Sequence, residues 1–190
     1  MDIRPTLALP PQLRLEGDGI RLREWSKDDV LALVELYDEP EMARWTPVAS
    51  PFDIAAAHTY LAEAFAARAQ GRKVQFAITT DGVVPRGEVL LFRNQRDERD
   101  VELAYGVGAA HRGQGLASRA VRLLSDYALR HTGARRVVLC IEEGNTASRA
   151  VARTTGFTLV DTDPVLRVSR GREVPLQTWA RTNHTEPLAD

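Results

Sequence analysis

The run His111-Arg112-Gly113-Gln114-Gly115-Leu116-Ala117 constrains this chain more than any other segment. It follows an apolar strand-like run at 101–107 and opens a helix whose stripe is Leu116, Ala120, Leu123, Leu124 and Tyr127. Another apolar strand-like run, 136–141, comes after that helix. Strand, helix and strand in this order predict a crossover that leaves the two strands parallel and adjacent. Two glycines one residue apart strip side chains from the loop where the helix begins. Backbone N–H groups are then exposed beside the partial positive charge of a helix N-terminus, which favours a bound phosphate or pyrophosphate.

The flanking chain fills in an α/β fold with a mixed, mostly antiparallel central sheet. Residues 13–23 read as two short strands around Glu16-Gly17-Asp18-Gly19. Ser26 with Asp29 three residues later caps a helix with Val30, Leu33, Val34 and Tyr37 as its apolar stripe. Pro40 and Pro47 interrupt the chain around Met42 and Trp45. A helix over 53–69 shows Ile54, Ala57, Leu61, Ala64 and Phe65 on one face and ends at Gly71. Strands at 74–80 and 87–93 form a hairpin about Asp81-Gly82, and 94–100 is a polar loop. A short helix over 145–155, ended by Gly156, and two strands around 169–172 complete the order. One domain spans 13–181, with flexible segments at 1–12 and 182–190.

Composition narrows the function classes. A net charge of −1 gives no general attraction to nucleic acid or an anionic membrane, so any anion site must be local. No apolar stretch is long enough to span a bilayer, and a single cysteine, Cys140, points to a reducing compartment, so a cytoplasmic protein is expected. The four histidines show no metal-ligand spacing with Cys140, and no metal is expected. Cys140 itself, in an apolar strand, reads as inert core. A P-loop would need Lys followed by Ser or Thr after the second glycine, and neither is present. Gly106-Val107-Gly108 lacks the third glycine and the acidic partner of a dinucleotide fingerprint. Read by itself, the Gly-x-Gly pair also fits a plain tight turn.

Arg112-Gly113-Gln114-Gly115-Leu116-Ala117 resembles the acetyl-CoA pyrophosphate motif of the GCN5-related N-acetyltransferases (GNAT). Asn145-Thr146-Ala147-Ser148, followed by Gly156-Phe157, is similar to the second motif of that family. Ile20-Arg21-Leu22-Arg23-Glu24-Trp25 with Asp28-Asp29 resembles the opening of its ribosomal-protein N-terminal acetyltransferase (RimJ/RimL-like) branch. The resemblance implies a parallel strand pair that splays apart and admits acetyl-CoA as cosubstrate. Backbone around Val107, Gly108 and Ala109 would meet the pantetheine arm, and the segment Arg112–Ala117 (Gly113, Gln114, Gly115 and Leu116 between) would meet the pyrophosphate. Asn145 would bond pantetheine, cap a helix, or do both. Tyr37 and Trp45 would line the acceptor pocket or pack in the core. Homodimers are common in the family.

Acyl transfer to an amine needs a neutral amine, a polarised carbonyl and a stabilised leaving thiolate. The resemblance makes Glu102 the candidate base, the alternative being a solvated carboxylate or a substrate-binding anion. Ser148 matches the serine placed near the CoA sulfur, the alternative being a surface serine. The tyrosine that many members carry seven residues after the asparagine is replaced by Ala152, so no acid comes from that position. The expected function is acetyl transfer from acetyl-CoA to a primary amine of a protein or peptide N-terminus, or of a small molecule, in a ternary complex. The competing reading is a non-catalytic acyl-CoA-binding regulatory module or a carrier-protein-dependent acyltransferase.

Overall fold

A computed structural model describes residues 7–169 and 171–182; the expectations for residues 1–6 and 183–190 lie outside these. The first half comprises β1 (Arg14–Gly17), β2 (Ile20–Glu24), α1 (Val30–Tyr37), α2 (Pro40–Trp45), α3 (Ile54–Ala69), β3 (Lys73–Thr79) and β4 (Gly87–Arg93). The second half comprises β5 (Asp100–Val107), α4 (Leu116–His131), β6 (Arg136–Glu142), α5 (Thr146–Thr154), β7 (Thr158–Leu159), β8 (Val165–Ser169) and β9 (Arg172–Thr182). Among the described residues these strands form one sheet in the order β1-β2-β3-β4-β5-β6-β9-β7, with β8 paired to β9. Every pairing is antiparallel except β5 with β6, which is parallel across the α4 crossover as the sequence order requires.

Strand alternation gives the sheet two buried faces. Val74, Phe76, Ile78, Val89, Leu91, Val101 and Leu103 pack with Leu116, Ala120, Val121 and Leu124 of α4. On the opposite face Trp25, Ala77, Leu33, Leu36, Tyr37, Met42, Phe52 and Leu61 form a second core under α1–α3. Truncating a buried large side chain on either face typically costs roughly 2–5 kcal/mol.

The Ser26 capping box is present, and it is tied to the sheet. The Asp29 carboxylate accepts from Ser26 N at 2.8 Å while Arg23 of β2 clamps both its oxygens at 2.8 Å. Burial works to raise the Asp29 pKa, but the Arg23 hydrogen bond and the cap prevail and hold it below its ordinary value. A short 3-10 turn over Lys27–Asp29 intervenes before α1 begins at Val30.

Three sequence expectations shift. Pro40 starts α2 instead of breaking the chain: it stands at the first helical position, where its missing N–H costs nothing, with Glu39 as cap. In α1, Leu36 is buried where Val34 is only partly so, because the face turned to the sheet runs through Leu33, Leu36 and Tyr37. Ile54, at the first position of α3, is exposed because the helix meets the core only from Ala57 onward.

Candidate active site

The parallel pair holds for four residues only. Asp100 to Leu103 of β5 face Arg136 to Leu139 of β6, and beyond Leu103 no pairing joins the two strands. β5 continues to Val107 on β4, while β6 continues to Glu142 on β9. The closed end is pinned by Asp100, which is 1% exposed and accepts from Arg136 Nε at 2.6 Å. The open end leaves backbone groups of β5 without a strand partner on that side, a ready template for an extended ligand.

A cavity of about 800 Å³ passes through this split. Glu88, Leu90 and Phe92 of β4 stand opposite Gly106, Ala104 and Glu102 of β5, so these six share one face of the sheet and line the cavity. Leu103, Tyr105, Leu116 and Ser148 line it from the other side. A side chain at Gly106 would put its Cβ 2.5 Å from Cε of Met42, so α2 approaches β5 only because that position is bare.

The glycine loop forms the end of the cavity beside α4. Gly113 and Gly115 both have φ +72, in the left-handed region, with open space where a Cβ would stand. Gly115 is the N-cap of α4 and supplies no side-chain cap. The N–H groups of Gly113, Gln114 and Gly115 donate to no other group among the described residues. Unclaimed amides at a helix N-terminus fit a pyrophosphate. Arg112 sends Nε to the Val107 carbonyl at 3.1 Å, and its guanidinium is ion-paired with Glu39. Val107, Arg112, Gly113, Gly115, Leu116 and Ala117 reach the cavity wall; Gly108, Ala109 and Gln114 do not. The Gly108 N–H is already given to the Arg86 carbonyl at 3.1 Å.

Glu102 sits at the closed end of the split and is 8% exposed. Its Oε2 accepts from Asn94 Nδ2 at 3.0 Å, and Arg167 of β8 lies 3.8 Å from Oε1. Burial pushes its pKa above the ordinary carboxylate value, against the opposing influence of Arg167, Cys140 and Asn94. A buried carboxylate with a raised pKa is a better proton acceptor than a solvated one. Cys140 is not core, as its apolar strand implied. It is partly exposed, lines the cavity and lies in hydrogen-bonding contact with Glu102. It faces the cleft because β6 has lost its β5 neighbour at that level. Burial and the Glu102 charge push its thiol up to about 12, which keeps it protonated and unreactive.

Across the split, Asn145 caps α5 by accepting from Ser148 N at 3.0 Å, and both side chains line the cavity. Ala152 is fully buried and offers no polar group. Tyr105 extends its hydroxyl to the Ser148 carbonyl at 3.2 Å.

Tyr37 and Trp45 both reach the cavity, in different ways. Trp45 is half-buried, with its indole N–H on Glu41 at 2.8 Å and Arg44 stacked 4.5 Å from the ring centroid. The Tyr37 hydroxyl is committed to Glu88. Glu88 is 0% exposed, and it also accepts from Trp25 Nε1 at 2.6 Å, Tyr60 OH at 2.6 Å and Gln75 Nε2 at 3.0 Å. Among the described residues four neutral donors, and no cation in direct contact, hold this carboxylate in the cavity wall.

Among the described residues no group of three His, Cys, Asp or Glu side chains is placed to hold a metal ion, and no helix is long and apolar enough to cross a membrane. The family model described as "Acetyltransferase (GNAT) domain" matches residues 20–158. The chain belongs to the GNAT acetyltransferase family. It is 24% identical over 146 residues to "Uncharacterized N-acetyltransferase p20" of Bacillus licheniformis, covering 75% of this chain and 81% of the relative. Its fold matches the ribosomal-protein-S5-alanine acetyltransferase of Vibrio fischeri with a TM-score of 0.74 at 16% identity, over 92% of this chain and 100% of the other. Mycobacterium smegmatis RimJ in complex with CoA-disulfide matches with a TM-score of 0.73 at 20% identity, over 97% and 90%.

In this GNAT chain the glycine loop carries a local pattern and the family resemblance pointed to Glu102, Asn145 and Ser148; the structure brings them to one cavity. The sequence did not show Glu88, Asn94 or Arg167, whose partners are 8 to 65 positions away. The one available signal for Glu88 was a charged residue in an otherwise apolar strand, Glu88-Val89-Leu90-Leu91-Phe92.

Proposed function

We propose that this acyltransferase moves the acetyl group of acetyl-CoA to the α-amine of a protein or peptide, by direct attack in a ternary complex. The observation that carries the proposal is the split between β5 and β6, with unclaimed loop amides at one end and a desolvated carboxylate at the other. In this reading the pyrophosphate meets Gly113 to Ala117, with Arg112 as a supporting cation, and the pantetheine arm pairs with β5 along the split. Asn145 holds the arm from α5. The thioester then lies between Glu102 on one face of the sheet and the start of α5 on the other.

The acceptor enters on the face that carries Glu102, Trp45 and Glu88. Glu102 takes a proton from the amine, directly or through water, as nitrogen attacks the carbonyl carbon. The carbon–sulfur bond then breaks and its electron pair leaves on sulfur. An α-amine titrates near ~8 and a lysine-type amine near ~10.4, so at neutral pH the α-amine has roughly two hundredfold more of the reactive free base. A single carboxylate base matches the first task better than the second. The names of the ribosomal-protein relatives support the same acceptor class, and small-molecule amines are the competing class.

The deciding experiment is an acceptor screen that follows CoA release with a thiol reagent and identifies the product by mass spectrometry. Acetylated peptide N-termini support the reading, and turnover confined to small amines replaces the acceptor class. Absence of acetyl-CoA binding by calorimetry would remove the donor as well.

A further inference from the structure

The proposed reaction leaves one requirement without a group. The departing thiolate needs a hydrogen-bond donor, and the α5 position from which a tyrosine would reach it holds Ala152, fully buried and apolar. Ser148 has a short side chain on the cavity wall. One longer hydroxyl points to the same place from the other side of the split.

Tyr105 lies on β5 three residues beyond Glu102, so alternation sends the two side chains to opposite faces of the sheet. Both line the cavity. The Tyr105 hydroxyl crosses from β5 to the first turn of α5, where it meets the Ser148 carbonyl at 3.2 Å. That carbonyl does not depend on it. Inside α5 the Ser148 carbonyl is the regular acceptor for the N–H of Ala152 four residues on. The hydroxyl contact is also long for an O–H···O bond, so rotating the proton away loses little. The phenol is therefore a positioned donor on a weak, exchangeable acceptor, beside the path between β5 and β6.

We propose that Tyr105 is the hydrogen-bond donor to the coenzyme thiolate, supplied from the strand where α5 carries no tyrosine. The inference rests on the acetyl-CoA reading of the split. In the reaction the amine nitrogen bonds to the carbonyl carbon from the Glu102 side. The carbon–sulfur bond breaks, its pair stays on sulfur, and the Tyr105 O–H turns from Ser148 to that sulfur. The amine proton leaves through Glu102 to solvent, and the thiolate is protonated by water on release. Tyr105 keeps its own proton throughout: burial pushes the phenol up to about 12, well above a thiol, so it donates a bond and not a proton.

The test needs no acceptor. Reduced CoA is bound to the wild-type protein and to Tyr105→Phe, and the bound thiol is titrated by the ultraviolet absorbance of its thiolate. A donor to sulfur lowers the bound thiol pKa, so Tyr105→Phe is expected to raise it by about one to two pH units, the effect of one hydrogen bond to a charged atom. Glu102, Glu142, His111, Arg112 and Arg167 also line the cavity, and the difference between the two proteins cancels their fields. Phe keeps the ring, so the affinity for CoA with its thiol protonated and the melting temperature without CoA are expected to change little. An equal thiol pKa in the two proteins overturns the proposal, as does a shift that appears in Ser148→Ala and not in Tyr105→Phe. Failure of both proteins to bind CoA defeats the donor reading itself, a result distinct from either. With an acceptor in hand, the Tyr105→Phe rate defect is expected to shrink when acetyl-CoA is replaced by an acetyl thioester of a more acidic thiol. A defect of equal size with both donors marks a structural role and overturns the assignment.

Discussion

Arg112 of the glycine loop is ion-paired with Glu39, the residue that caps α2. One carboxylate thus holds a cation of the proposed pyrophosphate site and the first turn of the helix that carries Met42 and Trp45. Glu39 accepts from Met42 N and Glu41 N at 3.1 Å each while it engages Arg112. In the proposed reading, a bound phosphate would compete for the same guanidinium.

Glu39→Ala is therefore expected to act in two directions. Loss of the cap destabilises by about 0.5–2 kcal/mol. Release of Arg112 tightens acetyl-CoA binding by a few-fold, the size of a partly exposed ion pair of about 0.2–1 kcal/mol. Chemical denaturation and calorimetry measure the two effects on one sample. Weaker binding in the variant would show that Glu39 orients Arg112 instead of competing for it.

Glu102→Gln is expected to lower turnover about 10²-fold or more while leaving acetyl-CoA affinity intact. Its stability effect has the opposite sign. The folded pKa is raised, so folding disfavours the ionised carboxylate. The contribution of Glu102 to stability is full below its unfolded value near 4.5 and is lost as pH rises through the folded value. The variant should melt higher than wild type at pH 8 and show no such gain at pH 4. The wild-type rate should rise with pH along a limb above the ordinary carboxylate range, and that limb should vanish in the variant.

Gly115→Ala meets no steric obstacle, only a left-handed backbone. The expected cost is about 1–2 kcal/mol in stability. Misaiming one loop amide should weaken acetyl-CoA binding roughly tenfold, the worth of one charge-assisted hydrogen bond. Unchanged affinity in calorimetry would take the loop out of the donor site.

Tyr37→Phe and Trp45→Ala separate two of the aromatic residues of the cavity. Tyr37→Phe removes a donor from the fully buried Glu88 and is expected to cost about 1–3 kcal/mol. Trp45→Ala acts at a half-buried ring on α2 and is expected to raise the acceptor KM with a smaller change in stability. Denaturation curves and acceptor saturation curves on both variants decide it.

What could be read from the sequence was local. The Ser26–Asp29 box, the Gly113–Gly115 loop and the α4 stripe each lie within one or two turns of chain, and each is found where its pattern points. The parallel neighbours β5 and β6 followed from a single crossover. What could not be read depends on meetings between distant segments. Trp25, Tyr37, Tyr60 and Gln75 come from four regions of chain to one carboxylate, and no spacing announces that they converge. Pro40 was ambiguous because one residue type both stops and starts helices, and only the Glu39 cap resolves it. Cys140 looked interior because its strand is apolar, yet the face it occupies is set by where pairing to β5 ends.

The end of that pairing has a consequence for length. From Leu103, the last paired residue, to Val107 the open stretch of β5 measures roughly 13 Å at about 3.3 Å per residue. The glycine loop lies beyond one end of it and Glu102 beyond the other. In the proposed acetyl-CoA reading, the split therefore works as a ruler. A donor gains both anchors only if its arm matches that span, so a short acetyl carrier can grip the loop or reach the carboxylate but not both at once. Recognition of the donor is thus written less in any single side chain than in the number of residues left unpaired.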